Sequence, residues 1–304
     1  MSLAAAPRFS VVIPLYNKAA YVREAVHSVL AQSHPPFEVI VVDDGSIDDG
    51  AALVKDLAPG LLRVVRQDNA GVAVARNRGI AEAQGDHIVF LDADDRHDGG
   101  YLAAVAALIS AFPQAGVHAT AYRCAWPDGR RLLQSLPLPR PALISDFYRQ
   151  WCDVTFTFTS AITVRRSLLL SMDVMFPPGE RLGEDQDLWF RLAERTSFAY
   201  DPRALVEYRM EVSDSATASI QANDLLPCYR RLGQRLTANK VPRPMQAGAR
   251  RLLAAHYINT ARFQLMSGRR SDALALLRAP EARRIPIYWL RTWLLALRSP
   301  RGGA

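Results

Sequence analysis

The sequence predicts an α/β protein with a Rossmann-like, mostly parallel sheet flanked by helices and a helical C-terminal extension. Three observations lead to this prediction. Short, β-branched apolar runs alternate with segments of helical periodicity over the first hundred residues, a pattern typical of parallel sheets that helices cover. After about Ser219 only helical patterns remain. Hydrophobic residues make up 49% of the 304 residues, which is enough to build a large core.

The first hundred residues contain four predicted strands, each an apolar run. Phe9 to Leu15 is uncharged and β-branched, and Pro14 stands near its end, where a missing N–H costs least. The helix from about Ala20 to Ala31 carries its apolar residues on one face, and Pro35-Pro36 prevents its continuation. The same reasoning predicts strands at Phe37 to Val42, Leu62 to Val65 and His87 to Leu91, and helices at Ala51 to Leu57 and Gly71 to Ala83.

The rest of the chain is less regular. We predict helices at Tyr101 to Phe112, Gln186 to Glu194, Met245 to about Ser267 and Ser271 to Leu277, strands at Val117 to Tyr122 and Thr159 to Val164, and a loop at Trp126 to Pro141. These patterns divide the chain into a domain at 1–218, with halves at about 1–100 and 101–218, and an extension at 219–304.

Charge is unevenly distributed along the chain. The net charge is +7 overall, but Cys228 to Ala304 holds sixteen Lys and Arg against two acids, a net of +14, so the remainder carries −7. A basic tail indicates an anionic surface as partner: membrane lipid, a phosphorylated acceptor or nucleic acid. Alternatively, the arginines lie on solvated helix faces and reflect genome composition. No nucleic-acid recognition motif accompanies the tail, so we expect no nucleic-acid partner.

Cysteine usage and the chain ends indicate a compartment. The three cysteines have no metal-site spacing, which favours a reducing environment over a disulfide framework. The N-terminus lacks a basic segment followed by an apolar one, and Ile285 to Leu297 is too short and too charged to span a bilayer. We therefore expect a cytoplasmic protein, with a peripheral position at the inner face of the membrane as an alternative.

Acidic residues cluster where predicted strands end. In Asp92-Ala93-Asp94-Asp95 the carboxylates at i and i+2 point to the same side and repel each other unless a cation lies between them. Oxygen ligands suit Mn²⁺ or Mg²⁺, which would bridge a pyrophosphate and neutralise the charge on it as it leaves. The alternative is a turn, because aspartate favours turns.

Two further acidic pairs have both a functional and a structural interpretation. Asp43-Asp44 precedes Gly45-Ser46 at a strand end, and its carboxylates either accept hydrogen bonds from a nucleobase and ribose or cap a turn. Glu184-Asp185 stands before a predicted helix, where an acid serves either as a general base or as a partner of the helix dipole.

Five segments in order resemble the successive motifs of the family 2 glycosyltransferases. They are VVIPLYNKAAY, VIVVDDGSIDD, DNAGVAVARNRGI, HIVFLDADD and GEDQDLWFRL, and the resemblance extends from about Phe9 to Arg209. It implies a glycosyltransferase-A catalytic domain at 1–218, with a nucleotide-binding and an acceptor half, and an inverting transfer from a nucleotide diphosphate sugar, usually a UDP-sugar, to an acceptor hydroxyl. A carbohydrate or lipid-linked acceptor and a role in cell-surface polysaccharide or glycolipid synthesis are expected.

The resemblance also implies roles for individual residues. The expected nucleotide-binding residues are Pro14, Tyr16, Asp43, Asp44, Arg76 and Asp92. Asp92 and Asp94 correspond to the family's D-x-D metal motif, with Asp95 beside them, and the metal would be Mn²⁺ or Mg²⁺. Asp185 corresponds to the catalytic base, with Glu184 as its neighbour.

One feature departs from the family pattern. Many relatives carry a His soon after the Tyr-Arg pair, whereas Tyr208-Arg209 is followed here by Met210-Glu211-Val212-Ser213. A water, Glu211 or Ser213 would have to make that contact.

Other functions remain as alternatives. A dehydrogenase needs a glycine-rich loop after its first strand, and a sugar nucleotidyltransferase needs a glycine-rich, basic one. The segment from Pro14 to Lys18 has no glycine and a single lysine. A non-catalytic module that binds a nucleotide sugar is the remaining alternative.

The C-terminal aromatics also have two interpretations. Tyr288, Trp289 and Trp293, together with Arg284, Arg291, Arg298 and Arg301, are typical of an interfacial helix, which predicts peripheral membrane contact through 285–304. The alternative is that these aromatics pack on neighbouring helices.

Overall fold

The computed structural model describes residues 6–212 and 224–298. These residues divide into two compact units, the first formed by 6–145 with 154–212 and the second by 146–153 with 224–298. The predicted domain boundary at 218 lies outside the described residues. The short segment 146–153 belongs to the second unit, although the sequence places it inside the predicted catalytic domain.

The first unit is built on a ten-stranded sheet in the order β3-β2-β1-β4-β9-β6-β10-β5, with β7 on β6 and β8 on β10. The strands are β1 (Phe9–Leu15), β2 (Glu38–Asp44), β3 (Leu62–Gln67), β4 (His87–Phe90), β5 (Arg96–His97), β6 (Ala115–Ala125), β7 (Arg131–Gln134), β8 (Ala142–Leu143), β9 (Ile162–Arg165) and β10 (Ser197–Arg209). Its helices are α1 (Val22–Leu30), α2 (Gly50–Val54), α3 (Val72–Glu82), α4 (Tyr101–Ala111), α6 (Arg166–Leu170) and α7 (Glu184–Ala193).

The sheet is parallel from β3 through β2 and β1 to β4, as predicted. Beyond β4 it is mixed, because β9 is antiparallel to both of its neighbours β4 and β6, and β6 is parallel to β10. The amino end of β9 therefore lies at the same edge as the carboxyl ends of β1, β2, β4, β6 and β10. We call this the carboxyl edge of the sheet.

Helices cover both faces of the sheet, which confirms the predicted fold class. On one face, the alternate β1 residues Val11 and Ile13 belong to a fully buried cluster with the apolar sides of α1 and α4. On the other face, α3 lies so close to β1 that a Cβ on Gly79 would stand 2.2 Å from a methyl of Val12. Glycine at this position sets the distance between α3 and the sheet.

Several elements differ from the sequence prediction. The segment predicted as a loop from Trp126 to Pro141 contains β7, and the strand predicted from Thr159 begins as a 3-10 turn at Thr159–Ala161. The longest strand, β10, was not predicted, because Asp201, Pro202 and Arg203 interrupt its apolar pattern. These residues coincide with an irregularity in the pairing of β10 with β6.

The second unit is helical. It contains α5 (Phe147–Asp153), α8 (Pro227–Thr237), α9 (Gln246–Met266), α10 (Arg270–Arg278) and α11 (Pro286–Arg298). Its core is separate from that of the sheet, and in it buried alanines pack with Ile258, Leu277 and the partly buried Trp289 and Trp293. Within the described residues no helix is both long and apolar enough to cross a membrane.

Candidate active site at the carboxyl edge of the sheet

The acidic clusters meet because of the strand directions. Asp43 and Asp44 end β2, Asp92 follows β4, and both strands run parallel to β1. Glu184 is the first residue of α7, and Gly183 precedes it with a φ of +77°, a conformation that glycine adopts without strain. The structure thus brings the segments that the sequence analysis selected to one edge of the first unit.

The loop after β1 is tied to the loop after β2. The Asn17 amide donates a hydrogen bond to Ser46 Oγ (3.2 Å), and Asn17 Oδ1 accepts one from the Ile47 amide (2.9 Å). Asn17 has a φ of +50°, which turns the chain sharply. Tyr16 is 47% exposed at this turn, so its ring offers a free aromatic face, whereas Pro14 is buried within the sheet.

Asp43 and Asp44 are both buried but have different partners. Asp44 accepts hydrogen bonds from Gln67 Nε2 (2.7 Å) and from the backbone amides of Ala70 (2.9 Å) and Gly71 (2.8 Å). Asp44 therefore fixes the loop that leads into α3. Asp43 accepts the Ser46 amide through Oδ1 (2.9 Å), and its Oδ2 lies 3.6 Å from Arg66 without a hydrogen bond among the described residues.

The three aspartates after β4 point in different directions. Asp92 forms an ion pair with Arg76 (2.7 Å) and Asp94 with Lys18 (3.2 Å). Asp95 is only 2% exposed and accepts hydrogen bonds from Ser160 Oγ (2.6 Å) and the Arg209 amide (3.2 Å). Burial raises the pKa of Asp94 and raises that of Asp95 well above its ordinary value, and the Asp92 charge adds to both shifts.

Arg76 joins two of the acidic clusters. Its guanidinium is buried and binds Asp92 Oδ1 at 2.7 Å and Glu184 Oε1 at 2.9 Å. Glu184 is also buried, and burial together with the Asp185 charge raises its pKa to about 7 against the opposing effect of Arg76. The resemblance predicts Arg76 near the nucleotide. In this structure both of its hydrogen-bonded partners are site carboxylates.

Thr159 and Ser160, which the sequence analysis did not select, connect the same clusters by hydrogen bonds. Thr159 Oγ1 donates to Asp185 Oδ2 (3.1 Å), while Ser160 Oγ donates to Asp95 and accepts the Asp92 amide (3.0 Å). Both residues lie at the amino end of β9, which reaches the carboxyl edge because β9 is antiparallel to β4. No local signal marks this role, since all of their partners are distant in the sequence.

His97 and Arg209 contact the residues that hold the Asp92–Asp95 loop in place. His97 is 3% exposed, stacks on Tyr101 at 4.0 Å between ring centroids, and places Nε2 2.7 Å from the Ser160 carbonyl. Burial lowers the pKa of His97 to about 4. The Arg209 side chain binds Glu24 at 2.7 Å.

Two side chains, Glu211 and Ser213, are candidates to replace the family histidine. Glu211 has a φ of +58°, and Ser213 lies outside the described residues.

The carboxylates of the Asp92–Asp95 loop are the candidate ligands for a divalent cation. Among the described residues, no group of three or more His, Cys, Asp and Glu side chains is arranged to hold a metal ion. Asp95, predicted beside the metal, is turned towards Ser160. Asp92 and Asp94 have side chains that are 27% and 20% exposed, so their oxygens remain accessible. Two carboxylates fit Mg²⁺ or Mn²⁺, because such ions bind through one or two carboxylates plus substrate phosphates and water.

Comparison with known proteins identifies a family. The family described as "Glycosyl transferase family 2" matches residues 10–171. TuaG of Bacillus subtilis (strain 168), a glycosyltransferase provisionally assigned to teichuronic acid biosynthesis, is 42% identical over 93 residues, covering 30% of this chain and 37% of TuaG. An uncharacterised glycosyltransferase of Rickettsia felis is 30% identical over 215 residues, covering 67% of this chain and 33% of the relative. These matches span about a third of the length of each relative.

Solved structures of S. aureus TarS have a similar fold. The crystal structure of TarS 1-349 in complex with UDP-GlcNAc has a TM-score of 0.69 at 21% identity, covering 96% of this chain and 82% of TarS 1-349. The complex of the same segment with UDP has a TM-score of 0.68 at 19% identity, covering 95% and 90%. This similarity confirms the predicted fold and extends over nearly the whole chain.

Proposed function

Because this chain belongs to glycosyl transferase family 2, we propose that it transfers a sugar from a nucleotide diphosphate donor to an acceptor hydroxyl with inversion at the anomeric carbon. The donor proposed is a UDP-sugar, since TarS, which has a similar fold, was crystallised with UDP-GlcNAc and with UDP. The acceptor class proposed is a cell-surface polysaccharide or its lipid-linked precursor, in keeping with the assignment of TuaG.

One observation carries this proposal. Two adjacent residues, Thr159 and Ser160, hydrogen-bond the proposed catalytic base Asp185 on one side and the Asp92–Asp95 loop on the other. Arg76 links the same two regions by ion pairs to Asp92 and Glu184. These contacts therefore position Asp185, the proposed base, relative to Asp92 and Asp94, the proposed diphosphate side. A direct displacement requires such fixed positions of the reacting groups.

The base chemistry follows from this arrangement. In the proposed step Asp185 accepts the proton of the acceptor hydroxyl. The oxygen of that hydroxyl bonds to the anomeric carbon as the bond from this carbon to the diphosphate breaks. The departing nucleoside diphosphate takes the bonding electrons. Thr159 Oγ1 orients the Asp185 carboxylate, because it donates to Oδ2.

The donor side would stabilise the leaving group. Asp92 and Asp94 would hold a divalent cation, which when bound neutralises charge on the diphosphate. Lys18, which pairs with Asp94 at 3.2 Å, supplies a second positive charge at the same place. Tyr16 and the Asp43-Asp44 pair are proposed to contact the nucleobase of the donor, and the exposed ring of Tyr16 is available for stacking.

The proposal is tested with UDP-sugars, Mn²⁺ or Mg²⁺, and a panel of carbohydrate and lipid-linked acceptors. Release of UDP is expected to depend on the metal, and Asp185→Asn is expected to lower kcat about 10²- to 10⁴-fold, as loss of a general base does. Asp94→Asn should abolish the dependence on metal. Asp173→Asn, at an exposed position without a role in the proposed site, is the matched control.

Thermal shift distinguishes binding from chemistry. A donor present at about 100 times its Kd stabilises the folded state by about 2.7 kcal/mol, and Asp185→Asn should retain this stabilisation. Donor binding by the wild-type protein without turnover on any acceptor would instead favour a non-catalytic binding module. Unchanged turnover in both Asp94→Asn and Asp185→Asn would refute the assigned roles.

A further inference from the structure

Helix α11 presents an apolar stripe to the solvent. Its members have exposed fractions between 45% and 70%, and they are Ile287 (70%), Leu290 (50%), Leu294 (45%) and Leu297 (54%). Their spacing of three, four and three residues places them on one side of the helix. An exposed apolar stripe on a folded unit is a feature of binding surfaces, since scattered single residues are the usual case.

The aromatic residues of α11 are on its inner side. Trp289 and Trp293 pack on the apolar core of the second unit, and Trp289 Nε1 donates a hydrogen bond to the Leu277 carbonyl (2.7 Å). Tyr288 also packs against this core, and its hydroxyl bonds to Asn259 of α9. These contacts fix the orientation of α11, so the aliphatic stripe remains on the outside.

The stripe is flanked by positive charge. Arg291 and Arg298 are exposed on the side of α11 that carries the stripe, and Arg283 and Arg284 are exposed just before the helix. Within 6–212 and 224–298, none of these four arginines forms an ion pair with an acidic side chain. The cations around the stripe complement an anionic surface that is apolar beneath its charged layer.

The charge around the stripe favours lipid over protein as its partner. A basic rim around an apolar stripe also disfavours a second copy of the same face, because like charges would meet.

We propose that α11 docks the protein on anionic lipid, with the Ile287–Leu297 stripe entering the acyl boundary and the flanking arginines contacting the headgroups. The stripe belongs to the second unit and the carboxyl edge of the sheet to the first, so this proposal does not depend on the chemistry proposed for that edge.

Vesicle co-sedimentation of the full chain tests this proposal. The wild-type protein should pellet with vesicles of phosphatidylcholine and phosphatidylglycerol, and less with phosphatidylcholine alone. Leu290→Gln/Leu294→Gln should reduce the vesicle partition coefficient at least about tenfold, because two side chains of the stripe no longer enter the apolar layer. Leu132→Gln/Leu133→Gln, on the similarly exposed β7 pair, is the matched control and should bind like the wild type.

A second pair of variants isolates the charge. Arg291→Gln/Arg298→Gln should reduce binding to anionic vesicles about tenfold and leave the weak binding to phosphatidylcholine unchanged, because each arginine near an anionic surface contributes electrostatic attraction. Arg140→Gln/Arg195→Gln lowers the net charge equally at exposed sites in the first unit and should have no effect. Wild-type protein that stays in the supernatant, or equal losses in test and control variants, would overturn the proposal. So would a dimer in solution that Leu290→Gln/Leu294→Gln dissociates, since a second copy would then cover the stripe.

Discussion

Thr159 orients Asp185 through a single hydroxyl group, which makes its contribution separable from folding. We expect Thr159→Val to lower kcat about 10-fold to 100-fold, because a hydrogen bond to a charged group contributes about 1.5–3 kcal/mol. The donor KM should change little, since the Thr159 hydroxyl donates to Asp185 and not to the aspartates proposed to face the donor. Steady-state kinetics of the wild type and variant provide the measurement.

Thr159→Ser is the matched control for that change, because it retains the hydroxyl and should recover most of kcat. An effect on KM alone, or an equal loss of kcat in the serine variant, would mean that Thr159 supports the fold rather than the orientation of Asp185.

Arg76 is a second residue whose effect can be isolated. Arg76→Met leaves the buried Glu184 carboxylate without its cation, and loss of one partner of a buried ion pair costs about 3–5 kcal/mol of unfolding free energy. Urea denaturation measures this cost. Arg78→Met on the same helix breaks an exposed pair with Glu82, which is worth less than about 1 kcal/mol.

Glu184→Gln in the Arg76→Met background completes the test. The double variant is expected to recover part of the lost stability, because the buried negative charge is removed together with its cation. Strictly additive losses would show that Arg76 and Glu184 do not interact.

The positions of site residues were predictable from the sequence only where the local pattern indicated them. Asp43, Asp92 and Asp185 stand at the ends of apolar or amphipathic segments, so their position at the sheet edge follows from the local pattern. Ser160 and Lys18 lack such a signal, because the acids they contact are distant along the chain. Asp95 resembles its neighbours in the sequence, and only the tertiary structure turns it away from them.

At the scale of elements, the two strands that flank β9 each carry a buried histidine. His87 lies in β4 and His118 lies in β6. The rings of His87 and His118 are 5.8 Å apart between centroids, and their nitrogens have no hydrogen-bond partner among the described residues. Burial lowers the pKa of His87 to about 4 and that of His118 to about 3. The folded state therefore keeps both rings neutral at a pH where the unfolded chain is protonated.

This pair predicts a loss of stability in acid. Since the unfolded chain binds more protons below pH 6.5, unfolding becomes easier as the pH falls from 6.5 towards 4, and each buried histidine contributes roughly 2 kcal/mol of loss between pH 7.5 and 5. His118→Leu should reduce that loss by about this amount in urea denaturation at the two pH values. His27→Gln, at an exposed position on α1, should leave it unchanged. An identical acid loss in wild type and His118→Leu would contradict the assignment.

Element prediction succeeded where a run is apolar and bounded by turn residues. Strands β1, β2 and β4 are such runs, and their order and direction follow from the short helical connections between them. Strand β10 escaped prediction because Asp201 and Arg203, which pair with each other, lie within it. The position of β9 between β4 and β6 depends on long-range pairing, which no local pattern encodes.

At the scale of the whole molecule, the two units have separate apolar cores. Leu277 is fully buried in the core of the second unit, and its truncation to alanine is expected to cost about 2–5 kcal/mol. Hydrogen exchange should then become faster in α9, α10 and α11 and change little in β1, β2 and β4. Leu290→Ala, on the exposed side of α11, is the control and should leave the exchange of both units unchanged.

Equal acceleration of exchange in both units by Leu277→Ala would mean that they unfold together. The sequence indicated the second unit by its helical periodicity and its charge. It did not assign α5 to that unit, because the grouping depends on contacts between α5 and α9, which are about a hundred residues apart in the chain.

The buried guanidinium of Arg76 also limits how this protein can change. Because it is shared between Asp92 and Glu184, a substitution on the proposed donor side also alters the electrostatic environment of the proposed catalytic base. Libraries that aim to widen donor choice should keep these three positions constant and diversify the exposed turn at Tyr16. Selection on either proposed side would otherwise require compensating changes on the other, so donor and acceptor specificity are expected to evolve together.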